Sequence, residues 1–433
     1  MTKPTVNIFW FRRDLRLDDN SGFYHALKSK TPTLPIFIFD KNILDKLPKD
    51  DARVTFIHES LTQINKTLKT HKSGIRCFYS TPSEVFKELI KNHTVKTVFT
   101  NRDYEPYATE RDQGIETLLN AHDIDFKTYK DHVIFERDEI VKDDGTPYKV
   151  YTPYSRKWLA EFSKKGLEVF QSELHLDNLY KHNTEIPSLT TLGFESSSIK
   201  ITPFEVNSKL IDAYEATRNF PALDNTSRLG PHLRFGTAST RQMVMMASQR
   251  SNNTFLKELI WREFFIQILW HFPHTVDKAF KPQYDRIEWR NAPEDFERWC
   301  KGETGFPLVD AGMRQLNETG FMHNRVRMLV GSFLCKHLLI DWRLGEAYFA
   351  EKLHDYDMAS NVGNWQWVAG CGVDAAPYFR IFNPTTQIQK FDKDLAYIKK
   401  WVPEFQELTY PREMVDHKFA RERCLKVYKT ALD

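Results

Sequence analysis

Glu258 and Trp261, in the segment KELIWREFF, lie three residues apart and would share one face of a helix. A carboxylate beside an indole can hydrogen-bond to and stack on a single planar ligand; an amphipathic core tryptophan with a solvent-facing glutamate is the plainer alternative. In GFMHNRVRMLVGSFL, residues Asn324, Arg327, Met328 and Gly331 follow i, i+3, i+4, i+7 spacing and form one stripe. Met328 and its aliphatic neighbours point to burial, and burying Asn and Arg without partners is costly. The stripe therefore needs a ligand or a carboxylate, and DYDMASN offers Asp355 and Asp357 ahead of Asn361. Trp365 and Trp367, in NWQWVAG, would point roughly 200° apart on a helix turning about 100° per residue. They could serve two sites on opposite sides of that helix, or pack into two regions of core.

These residues need elements to hold them. Up to residue 135 short β-branched and aromatic runs (Val6–Phe11, Leu34–Phe39, Ile75–Tyr79, Val95–Thr100, Asp125–Tyr129 and Val133–Phe135) alternate with amphipathic stretches such as Val54–Leu68 and Ser83–Lys91, the latter opened by a cap at Ser83. That alternation predicts a doubly wound α/β domain with a mostly parallel sheet over 1–135. Ligands in such sheets sit at the carboxyl ends of strands, which draws notice to FWFRRDLRLDDN after the first. Residues 136–200 are polar and irregular and are expected to form a connector, despite the aromatic cluster Tyr148, Tyr151, Tyr154 and Trp158. From 201 to 433 the period becomes 3.6 residues, over Phe204–Thr217, Thr240–Ser248, Thr254–Trp270, Gly305–Thr319, Phe321–Ile340 and Leu344–Leu353, and an all-α domain is expected. Gly370-x-Gly372-x-x-Ala375 mimics a dinucleotide fingerprint, but a helical segment stands where that motif needs a strand.

The 433 residues suffice for two cores. A net charge of +3 announces no global nucleic-acid field, so any DNA groove must come from local clusters of Lys and Arg. Five scattered cysteines, with no CxxC or Cys/His spacing, indicate neither a disulfide framework nor a metal site. The N-terminus has no signal-peptide pattern and no apolar run approaches a membrane span, so a reducing cytosol is expected.

Seven segments together (RLDDN, TSRLG, ELIWREFF, TGFPLVDAGMRQL, GFMHNRVRM, DWRLGEAYF and NWQWVAGCGVDAAPYFRIFNP) resemble the photolyase/cryptochrome family. They run in unbroken order through nearly the whole chain, and within the family they look most like the class I photolyases that repair cyclobutane pyrimidine dimers. The resemblance implies a non-covalent, U-shaped FAD among the helices. Tyr214, Thr226, Ser227 and Leu229 match positions at its phosphates and ribityl chain, where Gly230 departs from the commoner TSxLS pattern and removes a hydroxyl. Glu258, Asn324, Arg327, Asp355, Asp357 and Asn361 match the isoalloxazine and adenine surroundings, with Arg327 and Asp355 as a buried ion pair. Asn361 falls against flavin N5; an Asp there could donate a proton, whereas an Asn can only hydrogen-bond.

The same resemblance implies a substrate pocket of Glu258, Trp261, Met328 and Trp367, with Arg218 and Arg325 clamping flanking phosphates. The lesion must flip out of the duplex to be reached. Trp365, Trp342 and Trp289 match a relay that carries electrons to the flavin from the surface. The implied partner is double-stranded DNA containing such dimers, bound by a cytoplasmic monomer that joins the nucleoid only through DNA. His323 is followed by Asn324 where a (6-4) photolyase would pair two histidines. WQW with Met328 differs from the single-strand-preferring DASH type, and no long tail follows as in signalling cryptochromes. A blue-light photoreceptor without repair is the alternative. The antenna chromophore stays open among methenyltetrahydrofolate, a deazaflavin and none, since Tyr107 and Ala108 replace the Asn-Glu pair of a folate-binding type.

Overall fold

The computed structural model describes residues 3–433 and divides into two units. The first comprises the chain up to Glu136 together with Ala160–Phe204 and Arg228–Met246; the second comprises Arg137–Leu159, Glu205–Ser227 and Ala247–Asp433. The division is more interleaved than three consecutive blocks at 135 and 200.

The first unit is built on five parallel strands: β1 (Thr5–Phe11), β2 (Thr33–Asp40), β3 (Arg76–Ser80), β4 (Thr94–Asn101) and β5 (Asp125–Tyr129), in the order β3-β2-β1-β4-β5. The side-chain period of two sends Phe9, Phe11, Phe37 and Phe39 to one core and Ile8, Trp10, Ile36 and Ile38 to the other. Both faces are covered, as a parallel sheet requires. Val133–Phe135 forms no strand. The helix expected to be capped at Ser83 spans Pro82–Asn92, and Thr81, ahead of Ser83, forms a capping box with Glu84.

Residues 228–246 group with this sheet for a specific reason. Gly236 has φ +70, and a β-carbon there would stand 2.1 Å from the carbonyl oxygen of Arg13. Leu15 N–H donates to Phe235 O at 3.0 Å and Arg16 to Gly236 O at 3.1 Å. Buried charges complete the attachment: Arg16 meets both oxygens of Asp131 at 2.8 Å, and Arg241 meets Asp131 at 2.9 Å and Asp19 at 3.0 Å. Burial alone would raise Asp131; the two guanidiniums outweigh it and hold the carboxyl well below its usual range.

The second unit is helical. The aromatic residues of the expected connector form part of a helix, Tyr151–Lys165, whose i, i+3, i+7 positions Tyr151, Tyr154 and Trp158 are buried. Trp158 Nε1–H donates to Glu263 at 2.6 Å. The segment Phe321–Ile340 is not one helix: Asn324–Ser332 is α-helical, Phe333–His337 widens into a π-turn, and Leu339 takes φ +55. His323 starts the helix by accepting from Arg325 N–H at 3.2 Å. The remaining site-bearing helices are Ser208–Thr217, Thr254–His271, Trp342–Lys352 and Met358–Ala369. Among the described residues no helix is long and apolar enough to cross a membrane.

Candidate active site

Helix Thr254–His271 is apolar almost all round, so a half-buried carboxylate on it needs a partner. Glu258 finds one in Arg218, the C-terminal cap of helix Ser208–Thr217. Burial works against the Arg218 charge, but Glu258 outweighs it and the guanidinium is held above its usual range. Arg218 is therefore engaged within the site. Tyr214, on the same helix, packs edge-on against Phe255, and burial pushes its phenol up to about 12. Trp261, one turn beyond Glu258, has Tyr151 flat against it, with ring centroids 3.6 Å apart and planes 5° from parallel.

The stripe on helix Asn324–Ser332 resolves into distinct environments. Arg327 donates to both oxygens of Asp355, at 3.1 and 2.9 Å, and its Nε to Met322 O at 2.7 Å, so the expected pairing is present, but both partners are half-buried rather than buried. Gly331 is buried under Trp365 and Val368. Met328 is half-buried with Sδ 3.6 Å from Arg325, while Asn324 is exposed at the start of the helix. Arg325 donates to Asn219 at 2.5 Å and lies over Phe391. Burial and the nearby Arg218 charge pull its guanidinium below its usual range, so the two cations share one electrostatic neighbourhood.

Asp357 caps helix Met358–Ala369, accepting from Ser360 N–H at 3.3 Å. One turn on, the Asn361 amide donates to Glu346 Oε1 at 2.9 Å. Burial raises the Glu346 carboxyl above its ordinary value and the Asn361 bond only partly offsets this. Sequence reasoning missed Glu346, although it lies in DWRLGEAYF. The signal was its neighbour Gly345: a β-carbon there would stand 2.2 Å from the Trp365 indole, so the two helices must touch at that point.

Trp365 is 3% exposed, packed between Phe349 and Trp299 at 4.9 and 6.2 Å. Trp342 is 1% exposed, and Trp289 is half-buried and edge-on to Tyr428 at 6.0 Å. Trp367 is half-buried, on another side of its helix from Trp365. Between them Gln366, also unforeseen, accepts from Phe280 N–H at 2.9 Å and donates to Thr275 O and Lys278 O at 2.8 and 3.0 Å. The amide locks the rotation of the helix and hence the direction of both indoles.

A dinucleotide fits these residues. Thr226 Oγ1 is buried with no hydrogen-bond partner in the protein, a cost that a phosphate or ribityl oxygen would relieve. Ser227 O accepts from Glu205 N–H at 3.0 Å, and Leu229 is buried ahead of helix Gly230–Phe235.

Two family models match the chain: DNA photolyase over residues 7–172 and the FAD binding domain of DNA photolyase over residues 255–409. The deoxyribodipyrimidine photo-lyase of Agrobacterium fabrum is 35% identical over 474 aligned positions, covering 98% of each chain. The crystal structure of a bacterial class III photolyase from Agrobacterium tumefaciens superposes with a TM-score of 0.87 at 33% identity, covering all of this chain and 98% of that one. That of an archaeal photolyase from Sulfolobus tokodaii with two FAD molecules gives 0.85 at 33% identity, covering 98% of this chain and all of that one. With its parallel sheet, helical FAD-binding half and full-length likeness, the chain belongs to the photolyase/cryptochrome family.

Proposed function

We propose that the chain is a light-driven DNA repair enzyme, a deoxyribodipyrimidine photolyase that splits cyclobutane pyrimidine dimers. The observation that carries this reading is the helix face bearing Glu258 and Trp261, a carboxylate held by Arg218 beside an indole. A dimer is two rings rimmed with carbonyls and N–H groups, so an apolar wall with one charged acceptor suits it. Trp261 and Trp367 provide walls for stacking, and Met328 supplies a soft thioether contact. The adjacent Arg218 and Arg325 charges favour phosphates flanking the flipped nucleotides.

FAD, when bound and reduced, supplies the light-excited electron that enters the dimer and returns after its cyclobutane bonds open. Thr226, Ser227, Leu229 and Tyr214 would hold its phosphate and ribityl region, and Arg327 with Asp355 its ring system. Asp357 presents an acceptor at the start of helix Met358–Ala369, with Asn324 completing the surroundings. Asn361, tied to a largely buried Glu346, has no acidic proton of its own to give to the ring. Trp365 and Trp342 are buried and Trp289 is half-buried, so Trp289 would be the end of such a relay that meets solvent. The neighbour with two FAD molecules supports a second, antenna chromophore.

The test is illumination of the chemically reduced protein with an oligonucleotide carrying one dimer. Catalytic loss of the dimer under blue light is expected. Flavin photochemistry without dimer loss would leave the photoreceptor alternative in its place.

A further inference from the structure

We propose that Tyr151 is a positioning residue that sets the spacing of the two indole walls and holds Trp261 ready for the lesion. This rests on the lesion pocket described above. Tyr151 is tied at three points, all within the helical unit. Its ring lies flat on Trp261 at 3.6 Å. Its hydroxyl donates to Lys257 O at 2.8 Å, one turn ahead of Trp261 on the same helix. Its backbone N–H donates to Asp374 Oδ2 at 3.0 Å.

Asp374 belongs to the loop leaving the helix that carries Trp367. That loop is itself pinned: Gly370, Cys371 and Gly372 direct their N–H groups to Gln366 O at 3.0, 3.1 and 3.0 Å. Tyr151 thus joins the helix of Trp261 to the loop of Trp367, as a strut whose length is one phenol ring and its backbone. Burial, and then the Glu258 charge, hold the phenol above its usual range, so the strut stays neutral at physiological pH.

Two consequences follow for binding. One face of Trp261 is occupied by Tyr151 and Phe265 stacks on the indole at 5.6 Å, so a base can meet only the part of the ring that these leave uncovered. With the neighbouring Phe264 edge-on at 5.6 Å, the indole is also fixed before DNA arrives, which removes the ordering cost that a free side chain would meet on binding.

The test uses the flavin-loaded full chain and measures binding to a duplex with one dimer and to the same duplex undamaged. Tyr151→Leu removes the ring and is expected to weaken dimer binding about ten-fold, a loss on the scale of one ordered stacking contact. Undamaged-duplex affinity and flavin content should stay as in the parent. Tyr151→Phe keeps the ring and should restore discrimination. Asp374→Ala, which frees the backbone tie while keeping the ring, should shift dimer binding in the same direction as Tyr151→Leu. Unchanged discrimination in both Tyr151→Leu and Asp374→Ala would overturn the role, as would equal losses on both duplexes with no rescue by Phe. If Tyr151→Leu does not fold, the Asp374→Ala result decides alone. A parent protein that binds both duplexes equally would instead reject the pocket itself, and this role with it.

Discussion

Asn361 donates its side-chain amide to Glu346 at two acceptors, the backbone oxygen at 3.1 Å and Oε1 at 2.9 Å. The Asn→Asp exchange at this point would set two carboxyls against each other in a largely buried space, where both cannot ionise together. One would keep its proton at neutral pH. In Asn361→Asp, therefore, blue light should drive the bound flavin to a protonated, long-wavelength-absorbing form and repair should fall. Absorption spectra recorded during illumination check this; a spectrum like that of the parent would dissociate Asn361 from the ring.

Trp365 and Trp367 offer a two-sided test of one helix. Trp365→Phe should nearly abolish photoreduction of oxidised FAD while preserving repair by protein reduced with dithionite. Trp367→Phe should keep photoreduction and impair dimer binding or repair. Flavin bleaching and dimer loss, measured on both variants, decide the matter: matching behaviour in both assays would contradict separate roles.

Trp261→Ala should weaken binding of dimer-containing DNA by about 1–3 kcal/mol if stacking dominates, with flavin absorbance retained. Titration of both duplexes reads this directly.

Arg218→Ala should weaken damaged and undamaged DNA alike and flatten the salt dependence of binding. A salt slope identical to the parent's would place Arg218 outside the phosphate contacts.

Stability should carry a pH signature from the first unit. Burial, then the Asp131 charge, push the Asp14 carboxyl from 3.8 up to about 6, despite bonds from Arg12 N–H and Asn101. A raised folded-state value means that Asp14 favours the fold when protonated: its contribution is full below 3.8 and lost as pH rises through about 6. Ionising this carboxyl in the folded protein rather than in the unfolded chain costs roughly 3 kcal/mol at neutral pH. Asp14→Asn should therefore gain stability relative to the parent as pH rises between these two values. Thermal melts of both proteins across that window check this, and melting temperatures that run parallel would contradict it.

Features that depend on near neighbours were legible in the chain alone. The alternation in IFWF and LPIFIF set strand faces, because a strand repeats every two residues, and the spacing of Asn324, Arg327 and Gly331 set a helical stripe. That Arg327 needs a ligand or a carboxylate followed from its place on the stripe, but the choice of Asp355 over Asp357 came only from the resemblance to the family. Which distant segments meet was a matter for the packed fold. Nothing local tells Tyr151 that it will lie on Trp261, Arg218 that it will hold Glu258, or residues 228–246 that they belong with the sheet. The helix Tyr151–Lys165 was hidden by polar flanks, though its aromatic spacing was helical. Asn361 and Glu346 meet because Gly345 lets two helices touch, a fact about the absence of a side chain that no periodicity records.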